Sequence, residues 1–203
     1  MKKMLLGCFL LSTGIFASSD KYLEVKVGTD LYSKYSPFIF NGYEKVLAKN
    51  TINDSFNISI EGMIKKTDNL DLGLGLAYEN HSTRKDEGYK GGEYSSIPVY
   101  FITKYNFNID KNYTPYVKFN LGYAYNKEDK DIERLNGTKV TDTNIKNGSY
   151  FALGGGVEYN NFIAELMYSV IHATLFDEVN GRTDRTSANY NSLKLSVGYK
   201  FNL

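Results

Sequence analysis

Three sets of residues in this chain have types and spacings that could do chemistry. The first is a set of charges at alternate positions of otherwise apolar segments: Glu24, Lys26, Asp71, Lys104, Lys118, Glu158, Glu165 and Lys200. The set holds four carboxylates and four ammonium groups. A lone ion away from water is costly, so groups placed this way must pair and hydrogen-bond with one another. The pattern predicts an internal ionic plug, with a gated ion path as the competing use of the same residues. Glu158 and Glu165 flank Asn160-Asn161 and are expected near one another, with Lys200 between them.

The second set is His172 and Thr174, followed by Asp177, Glu178 and Asp184. An imidazole, a hydroxyl and a carboxylate are the parts of nucleophilic acyl transfer, and the plainer reading is an interfacial histidine. The third is an apolar run, Tyr35, Phe38, Ile39, Phe40 and Tyr43, with Pro37, Val46 and Leu47 beside it. Apolar surface of that extent marks either an interaction site or packing against neighbouring loops. His81 lies among Arg84, Lys85, Asp86 and Glu87 and reads as a solvated surface residue. Two separated histidines make no metal site, and no cofactor is expected.

The elements that position these residues follow from period-two alternation. Eight segments show it. Leu23, Val25, Val27, Thr29 and Leu31 share one face of the first, and Phe56, Ile58, Ile60, Gly62 and Ile64 one face of the second. The third and fourth carry Leu70 to Tyr78 and Ile97 to Phe107 at alternate positions. In the second half the outer faces are Tyr113 to Tyr125, Phe151 to Tyr159, Phe162 to Val170, and Leu193 to Leu203. Ile163 and Ile171 break the seventh pattern, and Pro98 predicts a bulge or a later strand start in the fourth, since proline cannot donate to a ladder.

Connection lengths alternate too. Links after odd strands are long and polar (33–55, 80–96, 126–149, 177–190), while those after even strands are short, down to Asn160-Asn161. Asparagine tolerates the positive φ that a type I′ turn demands. All long loops therefore emerge on one side. The predicted fold is all-β, an eight-stranded antiparallel transmembrane up-and-down barrel with short periplasmic turns and four long extracellular loops.

A soluble lipocalin-like barrel would show the same alternation with its apolar face inward. The other face separates the two, because it carries Gly73, Gly75, Ala77, Gly122, Ala124, Ala152, Gly154, Gly156, Ser196 and Gly198. Small residues belong where space is limiting, and an eight-stranded lumen is only just wide enough for side chains. Aromatic residues gather toward strand ends, as interfacial girdles require.

Lys2 and Lys3 precede an apolar run, Leu5 to Phe16, that ends in Ala17-Ser18-Ser19, the pattern of a secretory signal. Residues 1–19 are expected to be removed and 20–203 to form the barrel. Cys8 then goes with the signal, so no disulfide or thiolate site is expected in the mature chain. The net charge of +1 argues against nucleic acid as a partner. With 18 Tyr, 12 Phe, 18 Gly and 3 Pro, the composition favours strands and turns.

On these residues the chain resembles the small eight-stranded outer-membrane proteins, the group of the OmpA transmembrane domain, the OmpX and OmpW types and the opacity-type surface proteins. The segment Leu193 to Leu203 is similar to their C-terminal assembly signal, with Tyr199 and Phe201 supplying the rings and Leu203 standing where the usual final aromatic would be. The resemblance implies a monomer in the cell outer membrane that contacts lipid, lipopolysaccharide and the barrel assembly machinery. Members of this group serve structural, adhesive, channel or enzymatic roles, and a structural or adhesive one is expected here, with a host-surface or hydrophobic ligand met through the apolar first loop. A narrow channel for small or hydrophobic solutes is the first alternative. The second is a lipid A-modifying enzyme, because His172 and Thr174 loosely resemble the lipid A deacylases, which use serine where this chain has threonine.

Overall fold

The computed structural model describes residues 20–36, 38–40, 43–47, 50–52, 54–85, 89–90, 93–107, 113–128, 132–134, 139–141, 143–179 and 182–203. In chain order the strands are β1 (Lys21–Tyr35), β2 (Phe38–Phe40), β3 (Tyr43–Leu47), β4 (Asn50–Ile52), β5 (Phe56–Lys65) and β6 (Leu70–Asn80). There follow β7 (Thr83–Lys85), β8 (Tyr89–Lys90), β9 (Tyr94–Asn106), β10 (Tyr113–Glu128), β11 (Ile132–Arg134) and β12 (Lys139–Thr141). The last six are β13 (Thr143–Lys146), β14 (Gly148–Tyr159), β15 (Phe162–Ile171), β16 (Thr174–Val179), β17 (Arg182–Ser187) and β18 (Tyr190–Asn202).

Eight of these close a barrel in the order β1-β18-β15-β14-β10-β9-β6-β5, every neighbour antiparallel and β5 returning to β1. Closure leaves no strand edge unpaired, which is the condition for crossing hydrocarbon with strands. The remaining ten short strands lie in the long connections. They form two two-stranded pairs, β2 with β3 and β4 with β7, the latter joining two different connections, and two three-stranded sheets, β12-β11-β8 and β13-β16-β17. The links expected as plain polar loops therefore carry ladders of their own beyond the barrel.

Burial follows the alternation. Leu153, Val197, Phe119, Leu121, Leu76 and Ile60 are exposed on the outer surface, whereas the lumen holds a tyrosine, methionine and charged interior. Ile163 and Ile171, which blurred the seventh segment, both point inward and are buried. Asn160 and Asn161 have φ of 46° and 74°, so the tightest connection is the left-handed two-residue turn that their side chains tolerate.

Pro98 behaves differently from expectation. β9 starts at Tyr94 and runs through it without a bulge. The cost falls on one neighbour: the β6–β9 ladder runs to Leu76↔Val99 and resumes at Glu79↔Ser96 in the same register, so the pairs of Ala77 and Tyr78 are missing. On the other side Ala124↔Pro98 is intact. The one N–H that proline lacks accounts for both absent pairs, and the two strands keep their register across the step. A register shift does occur elsewhere, between Asp30 and Tyr32 in β1.

Candidate functional site: the filled lumen

The alternation that turns aliphatic side chains outward turns Glu24, Lys26, Glu61, Asp71, Lys104, Lys118 and Glu165 into the lumen, where all seven are buried. Lys26 Nζ is ringed by three carboxylates, Glu61 at 2.6 Å and Glu24 and Glu165 at 3.2 Å each. Lys118 Nζ donates to both oxygens of Glu61, at 2.8 and 2.7 Å, and to Glu165 at 2.9 Å. Lys104 binds Glu24 at 2.6 Å and stands 3.7 Å from Glu158, which Lys200 reaches at 2.8 Å. Asp71 instead accepts from the Tyr22 hydroxyl at 2.5 Å and the Asn106 amide at 2.7 Å.

All eight expected charges therefore lie in or at the lumen, and the structure adds Glu61 as the carboxylate shared by Lys26 and Lys118. Lys200 takes Glu158 alone of the two glutamates that flank the turn, and Glu165 belongs to the Lys26 and Lys118 cluster above it. Tyrosines supply the remaining donors: Tyr100 to Glu61 and Tyr116 to Glu165, both at 2.9 Å. Lys104 also lies over the Tyr116 ring, 4.2 Å from its centroid, a contact that favours a cation. The small residues make these reaches possible. A Cβ on Gly75 would strike the Tyr100 ring, and one on Gly156 would meet the Tyr116 phenol.

A second closure lies at the long-loop end. Tyr35, Tyr94 and Tyr190 are almost wholly buried and bridge the mouth, Tyr35 OH donating to Ser82 O at 3.0 Å and Tyr94 OH to Ala188 O at 2.9 Å. Tyr190 OH donates to Asp30. His81 packs in the same cluster, its ring 4.1 Å from that of Tyr190 and 4.7 Å from that of Tyr94. Its Nε2 lies 2.8 Å from Ser96 Oγ, which donates to Asn126 Oδ1 at 2.6 Å. Ser96 has one hydrogen and spends it on Asn126, so His81 is the donor in this pair.

Two expectations are corrected here. His81 is buried, 4% exposed, because it continues the inward parity of Ala77 and Glu79 just past β6 and packs on Tyr94 and Tyr190. Tyr35 is 1% exposed and so belongs to the closure rather than to an outer patch. Its companions Phe38, Ile39, Phe40 and Tyr43 fall on the paired strands β2 and β3; their side chains, and Pro37, lie outside the described residues. The mouth cluster was not visible in the sequence, since its members are far apart along the chain.

The candidate acyl-transfer pair is also rearranged. His172 sits between β15 and β16, and its Nδ1 lies 2.8 Å from Ser149 Oγ on β14. Among the described residues no hydrogen bond joins it to Thr174, which opens β16 opposite Lys146. The side chains of Asp177, Glu178 and Asp184 lie outside the described residues. At the C-terminus Tyr199 and Phe201 face outward in an edge-on stack with Phe162, centroids 5.2 and 4.9 Å apart along the row. Leu203 follows, exposed, its N–H on Lys21 O at 3.1 Å.

A closed antiparallel barrel with an aliphatic and aromatic outside and a packed polar inside is a transmembrane barrel of the outer-membrane type. The chain belongs to the family of outer membrane protein beta-barrel domains, whose model matches residues 5–201. It is similar to an uncharacterised protein of Pasteurella multocida (strain Pm70), 29% identical over 237 residues that cover 99% of this chain and 98% of that protein. Among solved structures it is similar to OprG from Pseudomonas aeruginosa, with a TM-score of 0.61 and 13% identity over 91% of this chain and 97% of that one. Outer membrane protein AlkL, in lipid bilayers, gives 0.58 at 14% over 92% of each chain. Neisserial surface protein A gives 0.54 at 16% over 90% and 97%. At such identities the likeness is one of fold. The family places the chain in the cell outer membrane, in contact with its lipid.

Proposed function

We propose that the protein is a sealed barrel that serves as a rigid, non-enzymatic base for its four long connections at the cell surface, with a structural or adhesive role. The observation that carries this reading is the pair of closures in one lumen: lysines and carboxylates in direct contact at the short-turn half, and tyrosines with His81 at the mouth. A narrow lumen so filled offers water and ions no continuous path, and recognition then falls to the exposed connections. Residues 1–19 act as the export signal in this reading, and Tyr199, Phe201 and Leu203 as the strand read by the assembly machinery.

The test is ion flux from proteoliposomes loaded with potassium. Vesicles holding the full mature chain are expected to leak no faster than empty ones, and selective leakage would end the sealed-barrel reading.

A specific observation favours a second reading. The wall lacks an inter-strand hydrogen bond beside Pro98, and Ala77 and Ala124 leave little bulk behind it. A step so weakened favours sideways passage of an apolar solute between the outer lumen and the bilayer, which needs no ion path. Uptake of a hydrophobic dye that falls when Pro98 is replaced by valine supports it, and unchanged uptake removes it.

A further inference from the structure

The four long connections are laced to one another by backbone pairing. β4 with β7 joins the first to the second (Asn50↔Lys85, Thr51↔Arg84, Ile52↔Thr83), β8 with β11 the second to the third, and β13 with β16 the third to the fourth. The fourth returns to the first where Ser36 N–H donates to Asn189 O at 2.8 Å and β17 lies against β2. A second ring, a collar, thus closes above the barrel. Each seam is only a few residues long, and short isolated ladders are marginal in water, so each holds because its neighbours hold. Seams of this length open at less cost than the wall below them.

The seams and the mouth closure share a backbone. Ser36 directly follows Tyr35 and Asn189 directly precedes Tyr190, and the two tyrosine rings lie 4.7 Å apart. β7 begins at Thr83, immediately after Ser82. The Ser82 carbonyl accepts from the Tyr35 hydroxyl at 3.0 Å, and its N–H donates to the Tyr190 hydroxyl at 3.1 Å. Across the mouth Asn126 accepts from Ser96 at 2.6 Å and donates through Nδ2 to Lys146 O of β13 at 3.0 Å. That seam too reaches His81, through Ser96. The lysine–carboxylate contacts of the plug join barrel strands alone. Between plug and mouth lie Ser169 and Ser192, both buried, with hydroxyls 3.0 Å apart.

We propose that the collar is the latch of the mouth: its seams hold the closure of Tyr35, His81, Tyr94 and Tyr190 shut, and parting β4 from β7 opens the outer half of the lumen while the ionic plug stays closed. Parting that seam frees the backbone from Thr83 onward, and with it the adjoining Ser82 carbonyl and N–H on which Tyr35 and Tyr190 converge. The wall below needs no change, because its eight strands stay paired. This inference rests on the sealed-barrel reading and makes the two closures of that reading separable.

The test is thiol labelling of the full mature chain in lipid vesicles by a charged methanethiosulfonate that cannot cross the bilayer. Residues 20–203 contain no cysteine, and Ser192→Cys places one between the two closures with little change of shape. Asn50→Pro/Thr51→Pro parts the seam: successive N–H groups of a strand point to opposite sides, so one of the two is taken from β7. Labelling is expected to be slow with the natural collar and about tenfold faster with the seam parted, the weight of one ladder hydrogen bond on an opening equilibrium. Potassium flux should stay at that of empty vesicles. Lys139→Pro/Val140→Pro, which breaks the β11–β12 pair inside one connection, should leave the labelling rate unchanged. Folding of every variant is checked by the mobility shift of unheated samples on gels. Equal rates with the seam whole and parted would overturn the latch and leave the sealed barrel standing, whereas fast labelling under the natural collar would overturn both. Labelling quickened as much by the β11–β12 break, or potassium leakage on parting the seam, would also defeat the latch.

Discussion

Lys118 reaches both carboxylate oxygens of Glu61 across the lumen, at 2.8 and 2.7 Å, although its neighbour on β9 is another lysine, Lys104. Glu61 likewise has Glu24 directly beside it on β1. Like charges thus adjoin along the sheet at these two pairs, where they repel. Lys26 offsets the two glutamates from its place on β1, and the Lys118–Glu61 and Lys104–Glu24 contacts join strands that are not neighbours, so these last need the closed barrel.

Removing one member is therefore expected to cost far more than removing a pair. Lys118→Met should destabilise the barrel by about 3–5 kcal/mol, the usual cost of stranding a buried charge. Lys118→Met with Glu61→Leu should recover more than half of that. Urea unfolding in lipid vesicles measures both; equal losses in the single and double variants would show that the ions do not act as a unit.

Packing against the wall gives a second expectation. Gly75→Ala drives a methyl into the Tyr100 ring and should cost about 1–3 kcal/mol, as overpacked cores do. In a Tyr100→Ala background the same change should cost nothing further, and a persistent penalty would locate the strain in the backbone instead.

The weakened step beside Pro98 should respond to restoring a donor. Pro98→Val is expected to complete the β6–β9 ladder and slow amide hydrogen exchange at Ala77, the residue facing position 98, about tenfold, the effect of one net backbone hydrogen bond. Exchange as fast as before would mean that the gap is set by side-chain packing rather than by the missing N–H.

The Asn160-Asn161 turn has both residues at positive φ. Asn160→Ala and Asn161→Ala should each cost about 1–2 kcal/mol, the penalty of the left-handed region for a residue with a plain Cβ. Asn161→Gly should be tolerated. Folding yield and unfolding midpoints in vesicles report the difference.

Barrel strands and their orientation were legible in the sequence because the side-chain period of two is local and the wall imposes it on every strand. Ile163 shows how the structure resolves what the pattern left open: hydrophobicity alone could not say which face it joins, but its register with Glu158 and Gly198 turns it inward. The ionic set was legible as inward parity. Glu61 was visible on the same face, but its role depends on lying beside Glu24 and opposite Lys118, a relation between three strands that no single segment contains. The mouth was least legible. Tyr35, His81, Tyr94 and Tyr190 are brought together by closure of the whole barrel, and the polar surroundings of His81 pointed toward solvent. Pro98 announced a disturbance, yet only the pairing reveals that β6 rather than β10 loses its partner.

The most direct measurement is single-channel recording of the refolded mature chain in planar bilayers, beside Lys118→Ala and the Glu61→Ala/Lys118→Ala pair. The plug predicts a silent bilayer for the natural sequence, with steps appearing only as the lysine and carboxylate contacts are removed. Discrete, voltage-stable conductance in the unaltered protein would contradict it.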